Sequence, residues 1–290
     1  MKKSAIQQAF KREFPWFMIM PALLWQVLFF YIPCAIIIAL SFIQSSGSTF
    51  SQGFSLNFYK TLFAPEYGLI ILRSLIFASL NALVCLVCAY PVAYYLALKV
   101  KKAKQLLLCL LILPFWTNVI VQIYAWFFVL EQHGLLNIVL LKLGIISQPI
   151  HMVNTMASVF LVMAYCYLPF MIMPLYTALE KIDSRLIESS YDLGANSWQT
   201  FFNVTLPLSM SGIRTGFFLV FVPSFGEFVI PVLMGGSKQI FVGSLVSHYF
   251  TTAHNISQGA AFTVLSGLIL LVCALIINRY FSKKAGVLRG

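Results

Sequence analysis

Eight of the 290 residues are acidic, and five of those eight stand where an acid needs a reason. Glu227 lies in Pro223-Ser-Phe-Gly-Glu-Phe-Val-Ile-Pro231, within an apolar run. A carboxylate at membrane depth is expensive, so it is expected to face a cavity or a partner. Its chemistry there is to hold a cation, either a solute in transit or a base on a neighbouring subunit, and both readings stay open. Arg214 is 13 residues earlier, about 20 Å along a helix at 1.5 Å per residue, so no ion pair between them is expected. Pro223 and Pro231 free backbone carbonyls around the acid, which is tolerable only against protein or water. Phe225 and Phe228 flank it. Two aromatic strings could join it, Pro114-Phe-Trp-Thr-Asn118, which contains Trp116, and Tyr165-Cys-Tyr-Leu-Pro-Phe170. Their two readings are packing between helices and an aromatic lining for a cation.

The other four acids, Glu180, Asp183, Glu188 and Asp192, gather in a polar segment over 180–207. Asp183 or Ser184 can cap a helix that runs to Leu193. Gly194 suits the left-handed position that ends it. Asn196 or Ser197 can cap a second helix, which Pro207 is expected to close. A helix-Gly-helix elbow presents a short helix end-on, as a knob for a cleft in a partner. Other chemistry is missing from the sequence. The phosphate-loop pattern G-x-x-x-x-G-K-[ST] does not occur, and Gly235-Gly-Ser-Lys238 lacks its spacing. H-E-x-x-H and G-x-S-x-G are also lacking, and the four His show no ligand spacing. The six Cys lie in apolar runs, Cys85-x-x-Cys88 included, where packing explains them better than redox or metal work. The chain is therefore expected to be no enzyme, to carry no cofactor or metal, and to leave any ATP hydrolysis to a partner.

The elements around these residues are membrane elements. The chain is 60% hydrophobic and 9% charged, more apolar than a water-soluble domain requires. Its apolar runs are continuous rather than alternating, which favours helices over a barrel. Six spans are expected, at about 15–42, 68–98, 105–126, 152–179, 209–234 and 259–281. The charge of +11 is read as topology, not as affinity for nucleic acid. With the N-terminus inside, 15 of the 19 Lys and Arg fall on the cytoplasmic side. Both termini and the Glu188 elbow are then cytoplasmic. Residues 1–14 carry Ile6, Phe10 and Phe14 on one helical face, as an interfacial helix would; residues 15–290 form the spanning domain. After the third span an amphipathic outer helix is expected to stop at Gly134. The first run is too long for a cleavable signal.

The segment from Glu188 to Pro207 resembles the cytoplasmic loop of ABC importer permeases: a Glu, a Gly six residues on, then Val204-Thr-Leu-Pro207. The two Ala that follow the Glu in that family are Ser189 and Ser190 here. Together with Pro114 to Asn118, Leu168-Pro-Phe-Met-Ile-Met-Pro-Leu-Tyr176 and Phe225-Gly-Glu-Phe-Val-Ile-Pro231, the chain resembles the spermidine/putrescine branch. Permeases for ferric iron, thiosulfate and other solutes share much of this pattern. The resemblance implies an all-α, six-helix, type I importer permease in a bacterial inner membrane. It implies a homologous second permease, two ATP-binding cassette subunits and an extracytoplasmic substrate-binding protein, with alternating access driven by ATP. It places Glu188, Ser189, Ser190, Asp192, Gly194, Leu206 and Pro207 at the ATPase, and Glu227, with Phe225, Phe228, Trp116 and Asn118, along the substrate pathway. An ion-coupled secondary transporter is the rival from another class. It would want several intramembrane acids and two inverted halves, where the sequence offers one clear acid and no repeat.

Overall fold

The computed structural model describes residues 19–46, 49–54, 56–100, 102–236 and 240–287. The interfacial helix expected over 1–14 lies outside them. The chain forms two compact units, one of Met1–Ala64 with His248–Leu265, the other of Pro65–Ser247 with Ser266–Gly290. In the first, α1 (Ile19–Leu40) is 22 residues long, or about 33 Å at 1.5 Å per residue, enough to cross a bilayer. A small antiparallel hairpin follows, β1 (Ile43–Ser46) and β2 (Thr49–Phe54), then α2 (Asn57–Leu62). Tyr59 donates its hydroxyl to Ser41 Oγ at 2.8 Å, and Phe42 stacks on Phe54 at 5.3 Å, which folds the hairpin back on the end of α1.

The second unit holds α3 (Pro65–Lys99), α4 (Lys104–Trp116), α5 (Val119–Leu130), α6 (Leu135–Lys142) and α7 (Met156–Glu180). The elbow follows as α8 (Ser184–Asp192) and α9 (Ser197–Leu208), then α10 (Met210–Gly226) and α11 (Val229–Met234). Two last helices, α12 (Val242–Thr251) and α13 (Ile256–Val287), pass through both units. Among the described residues, five helices are long and apolar enough to span a membrane. They become six if the bent pair α9–α10 counts as one.

The core of this unit is α3, α7 and α10. Within lipid, apolar burial gives no driving force between helices, so close packing must supply it. The sequence provides small residues at the contacts. Ala78, Ala82, Cys85, Ala89 and Ala93 recur every three or four residues along α3, and all are fully buried. On α10, Gly212 meets α7 so closely that a Cβ there would lie 2.6 Å from Ala178 Cβ and from the Pro174 carbonyl. Two hydrogen bonds tie the layers, a buried one from Asn81 Nδ2 to Ser224 Oγ at 2.9 Å and a part-buried one from Cys85 Sγ to the Ala164 carbonyl at 3.5 Å. A second cluster, with Phe77, Ile123, Val159, Met163, Ile230 and Met234, joins α3, α5, α7 and α11.

Four sequence expectations need correction. The third run does not cross as one helix over 105–126. It breaks after Trp116, because Pro114 cannot donate to the ladder and tightens the last turn of α4. The apolar stretch long enough to span is Val119–Lys142. The fifth run, expected over 209–234, stops at Gly226 and resumes at Val229, with Glu227 extended between them. Pro207 does not close the second elbow helix, which runs to Leu208 and bends by 64° into α10 at Ser209. Gly134 is no helix stop. It is extended (φ −76°, ψ 168°) and opens α6.

Gly212→Val should therefore destabilise the fold, by roughly 1–3 kcal/mol for overpacking. Gly267→Ala, with open space where its Cβ would go, should not. Thermal melts of the two purified variants in detergent, read by size exclusion, check the difference.

Candidate functional site

The elbow is built almost entirely from local hydrogen bonds. Asp183 Oδ1 accepts from Arg185 N at 3.0 Å and starts α8. Gly194 ends it at φ +84°. The Gly194 amide donates to the Tyr191 carbonyl at 2.9 Å and the Ala195 amide to the Ser190 carbonyl at 3.0 Å, the paired bonds of a Schellman motif. Asn196 opens α9 by a reciprocal exchange with Gln199, at 2.8 and 2.9 Å. One side-chain bond crosses the elbow. Ser190 Oγ lies 2.9 Å from Thr200 Oγ1, both buried. Ser190 thus does more than replace a small residue, and its partner Thr200 was not singled out in the sequence.

At its root the elbow is tied to the chain by an ion pair. Lys104 Nζ is 2.8 Å from Glu180 Oε1 and 5.1 Å above the Tyr176 ring, whose hydroxyl also donates to Glu180 at 2.7 Å. The elbow exposes large apolar side chains despite its polar sequence. Leu193 is 89% exposed and Trp198 72%, and Leu186, Tyr191 and Phe202 are exposed as well. Trp198 stacks on Phe202 at 5.9 Å. Glu188, Ser189 and Asp192 are exposed on the same helix; Leu206 and Pro207 are half-buried further along α9. A rigid projection carrying exposed aromatic and aliphatic side chains is suited to entering a pocket on another protein.

A second constellation forms where two helices are interrupted. Glu227 Oε1 accepts from the amides of Phe228 and Val229, at 3.1 and 2.9 Å, and Oε2 from the Tyr167 hydroxyl at 2.7 Å. The acid is thus held by its own chain, which neither of the two sequence readings had foreseen. An ionised carboxylate has about four acceptor sites, and three are taken here. Glu227 is half-buried and Phe228 exposed. An aromatic row leads away from it. Tyr167 lies 6.1 Å from Phe170, and Phe170 meets Phe115 edge-on at 4.9 Å. The two aromatic strings of the sequence therefore converge, on α4 and α7.

The break after Trp116 lies at the far end of this row. Gln122 Nε2 donates to the Pro114 carbonyl at 2.6 Å and to Thr117 Oγ1 at 2.8 Å. Its Oε1 faces Cys166 Sγ at 3.8 Å. Asn118 Oδ1 accepts from the Ile120 amide at 2.8 Å and caps α5. Trp116 is 85% exposed. Gln122 went unnoticed as a functional residue; a lone amide eight residues after a proline in an apolar run was its signal. Phe225, a sequence candidate for the pathway, is enclosed by the chain's own helices with 3% of its surface exposed. Among the described residues, no cluster of His, Cys, Asp and Glu could hold a metal ion.

Comparison with known proteins places this geometry. Residues 89–287 match the family described as binding-protein-dependent transport system inner membrane component. The chain is 39% identical over 261 residues to the spermidine/putrescine transport system permease protein PotB of Haemophilus influenzae, covering 90% of this chain and 91% of that one. It is 41% identical over 253 residues to PotB of Escherichia coli, covering 86% and 92%. Its fold matches a chain of a bacterial ABC transporter involved in the import of the polysaccharide alginate, with a TM-score of 0.74 at 16% identity over 96% of this chain and 99% of that one.

The elbow's rigidity rests on Gly194. A Cβ there meets nothing within 4 Å, so substitution acts through the backbone alone. Gly194→Val should cost about 1–2 kcal/mol in this left-handed conformation, and Gly194→Asn much less. Hydrogen exchange at the Gly194 and Ala195 amides should rise about tenfold in the valine variant and stay nearly unchanged in the asparagine variant.

Proposed function

The chain belongs to the binding-protein-dependent transport system inner membrane component family, and we propose that it is one of two permease subunits of an ATP-driven importer for polyamines. The observation that carries the transport mechanism is the elbow, a stiff helical joint with Leu193 and Trp198 projecting from it. On this reading the elbow lies in the cytoplasm and docks into one of two ATPase subunits. Glu188, Asp192 and the Gly194 turn lie on the docking helix, and Ser189 lies beside them. Ser190 braces the joint through Thr200. Leu206 and Pro207 carry the motion toward α10. Nucleotide-driven closure of the ATPase pair moves the elbow as a rigid body, and the spans follow. An extracytoplasmic binding protein supplies the solute.

Polyamines as cargo are supported by the named activity of the relatives and by the Glu227 constellation. A flexible multivalent cation needs negative charge and aromatic faces along its route. Glu227 keeps room for one further donor, and Tyr167, Phe170, Phe115 and exposed Phe228 offer rings near it. Trp116 and Asn118 extend the route at the break of the third run. Phe225 is not part of it, since its ring is enclosed. The Glu188–Pro207 pattern resembles that of permeases for other solutes as well, so cargo and coupling are tested separately.

For coupling, the purified chain alone should hydrolyse no ATP. Proteoliposomes containing this chain, the second permease and the ATPase should hydrolyse it, and loaded binding protein should raise the rate. Uptake should persist when the proton gradient is collapsed and ATP is held constant. Uptake that follows the proton gradient instead would favour the secondary-transporter reading.

For cargo, radiolabelled spermidine and putrescine should accumulate and a molybdate control should not. Glu227→Gln keeps the shape of the cap and most of its hydrogen bonds while removing the charge. Polyamine uptake at subsaturating substrate should fall about tenfold in an intact complex. Loss of assembly would instead assign Glu227 a structural role, and unchanged kinetics would remove it from both.

A further inference from the structure

The elbow can drive transport only if its motion reaches the spanning helices, and one joint stands between them. Helix α9 meets α10 at 64°, with Ser209 as the single residue between. Ser209 is fully buried. Its Oγ donates to the Leu206 carbonyl at 2.9 Å, one turn back. Its Oγ also lies 2.9 Å from the Tyr90 hydroxyl on α3. A serine hydroxyl has one proton, and Leu206 takes it, so Tyr90 is the donor to Ser209. The bond therefore has a direction, from α3 through the bend into the elbow helix.

The surroundings of this bond are those of a hinge. Phe201, at the start of a stretch of i→i+5 bonding in α9 (Phe201–Thr205), packs edge-on against Tyr90 at 5.4 Å and against Tyr94 at 6.4 Å. Tyr94 itself precedes a second such stretch, Tyr95–Lys99, at the end of α3. Widened turns of this kind hold one more residue than an α-turn and can yield it, and they recur at functional sites. Here two of them flank the same contact.

We propose that Tyr90 is the positioning residue of this joint: its hydroxyl locks the Ser209 bend to α3, so that displacement of the elbow turns α3 and α10 together instead of flexing the joint. This inference rests on the reading of the elbow as the ATPase contact. The sequence offers no sign of it, because Tyr90 and Ser209 are 119 positions apart.

The test uses the complete importer in proteoliposomes, with ATP hydrolysis and polyamine uptake measured in the same vesicles. Tyr90→Phe keeps the ring on Phe201 and removes only the hydroxyl. The complex should assemble and hydrolyse ATP within about twofold of the parent rate, while uptake per ATP falls about fivefold. Ser209→Ala removes this bond together with the one to the Leu206 carbonyl, so it should lose at least as much. The double variant should be no worse than Ser209→Ala alone, since the Tyr90 bond is already gone. Unchanged uptake per ATP in Tyr90→Phe, additive losses in the double variant, or failure of Tyr90→Phe to assemble would each overturn the proposal. The elbow reading fails on a different result. Leu193→Asp should release the ATPase from the membrane complex, and an ATPase that stays bound would reject docking through that surface while leaving the Tyr90 measurement standing.

Discussion

A helix that breaks in hydrocarbon must satisfy the backbone groups it frees, because no water is there to do so and each orphan costs several kcal/mol. This constraint decides where the chain can depart from straight helices. At three departures from a straight helix between Lys104 and Met234, side chains meet the freed backbone groups. After Trp116, Gln122 and Thr117 hold the Pro114 carbonyl and Asn118 caps the next helix. At the elbow bend, Ser209 holds the Leu206 carbonyl. After Gly226, the carboxylate of Glu227 takes two amides. A break in a span is thus also a place where polar groups must already be present. Polar solute handling can develop there at little extra cost, which is why discontinuous helices are good places to look for it.

Between the breaks the unit is stiff. The Ala and Cys stripe of α3 and the close approach of Gly212 bring backbones together, and interiors packed this way move as blocks instead of deforming smoothly. The same property holds at the elbow for a different reason. There the rigidity comes from capped helix ends and from the Ser190–Thr200 bond, all made within 20 residues. On the proposed reading, two stiff bodies meet at a one-residue bend, and the mechanical behaviour of the whole depends on that bend.

The contrast in what the sequence could disclose follows from range. The elbow was legible because its determinants are local: Asp183, Gly194 and Asn196 set caps and a left-handed turn within a few residues of themselves. The apolar runs were legible as membrane helices for the same reason. Their interruptions were not. Averaged hydropathy smooths over Thr117-Asn118 and Glu227, since apolar residues resume within two positions of each. The residues that make these breaks affordable come partly from elsewhere, with Tyr167 lying 60 positions from Glu227 and Cys166 44 from Gln122. Pro207 misled for a subtler reason. A proline is tolerated in the first turn of a helix, and here it opens a short α segment after a widened turn, so the chain bends two residues later.

Glu227 shows how the two kinds of requirement meet in one side chain. A free carboxylate in a membrane cavity would bind a polyvalent cation tightly and hold it, and a pathway needs sites that are favourable to enter and easy to leave. Three donors from the chain itself already share the charge of this carboxylate, which weakens what it offers a fourth. Its position is fixed by the same bonds, so on the proposed reading a passing ammonium would meet a preorganised acceptor and cause little reorganisation. The neighbouring rings add attraction that is shallow and spread along a row. On the proposed reading, an acid that must cap a helix at that depth is, by that duty, tempered into a weak and well-placed cation site.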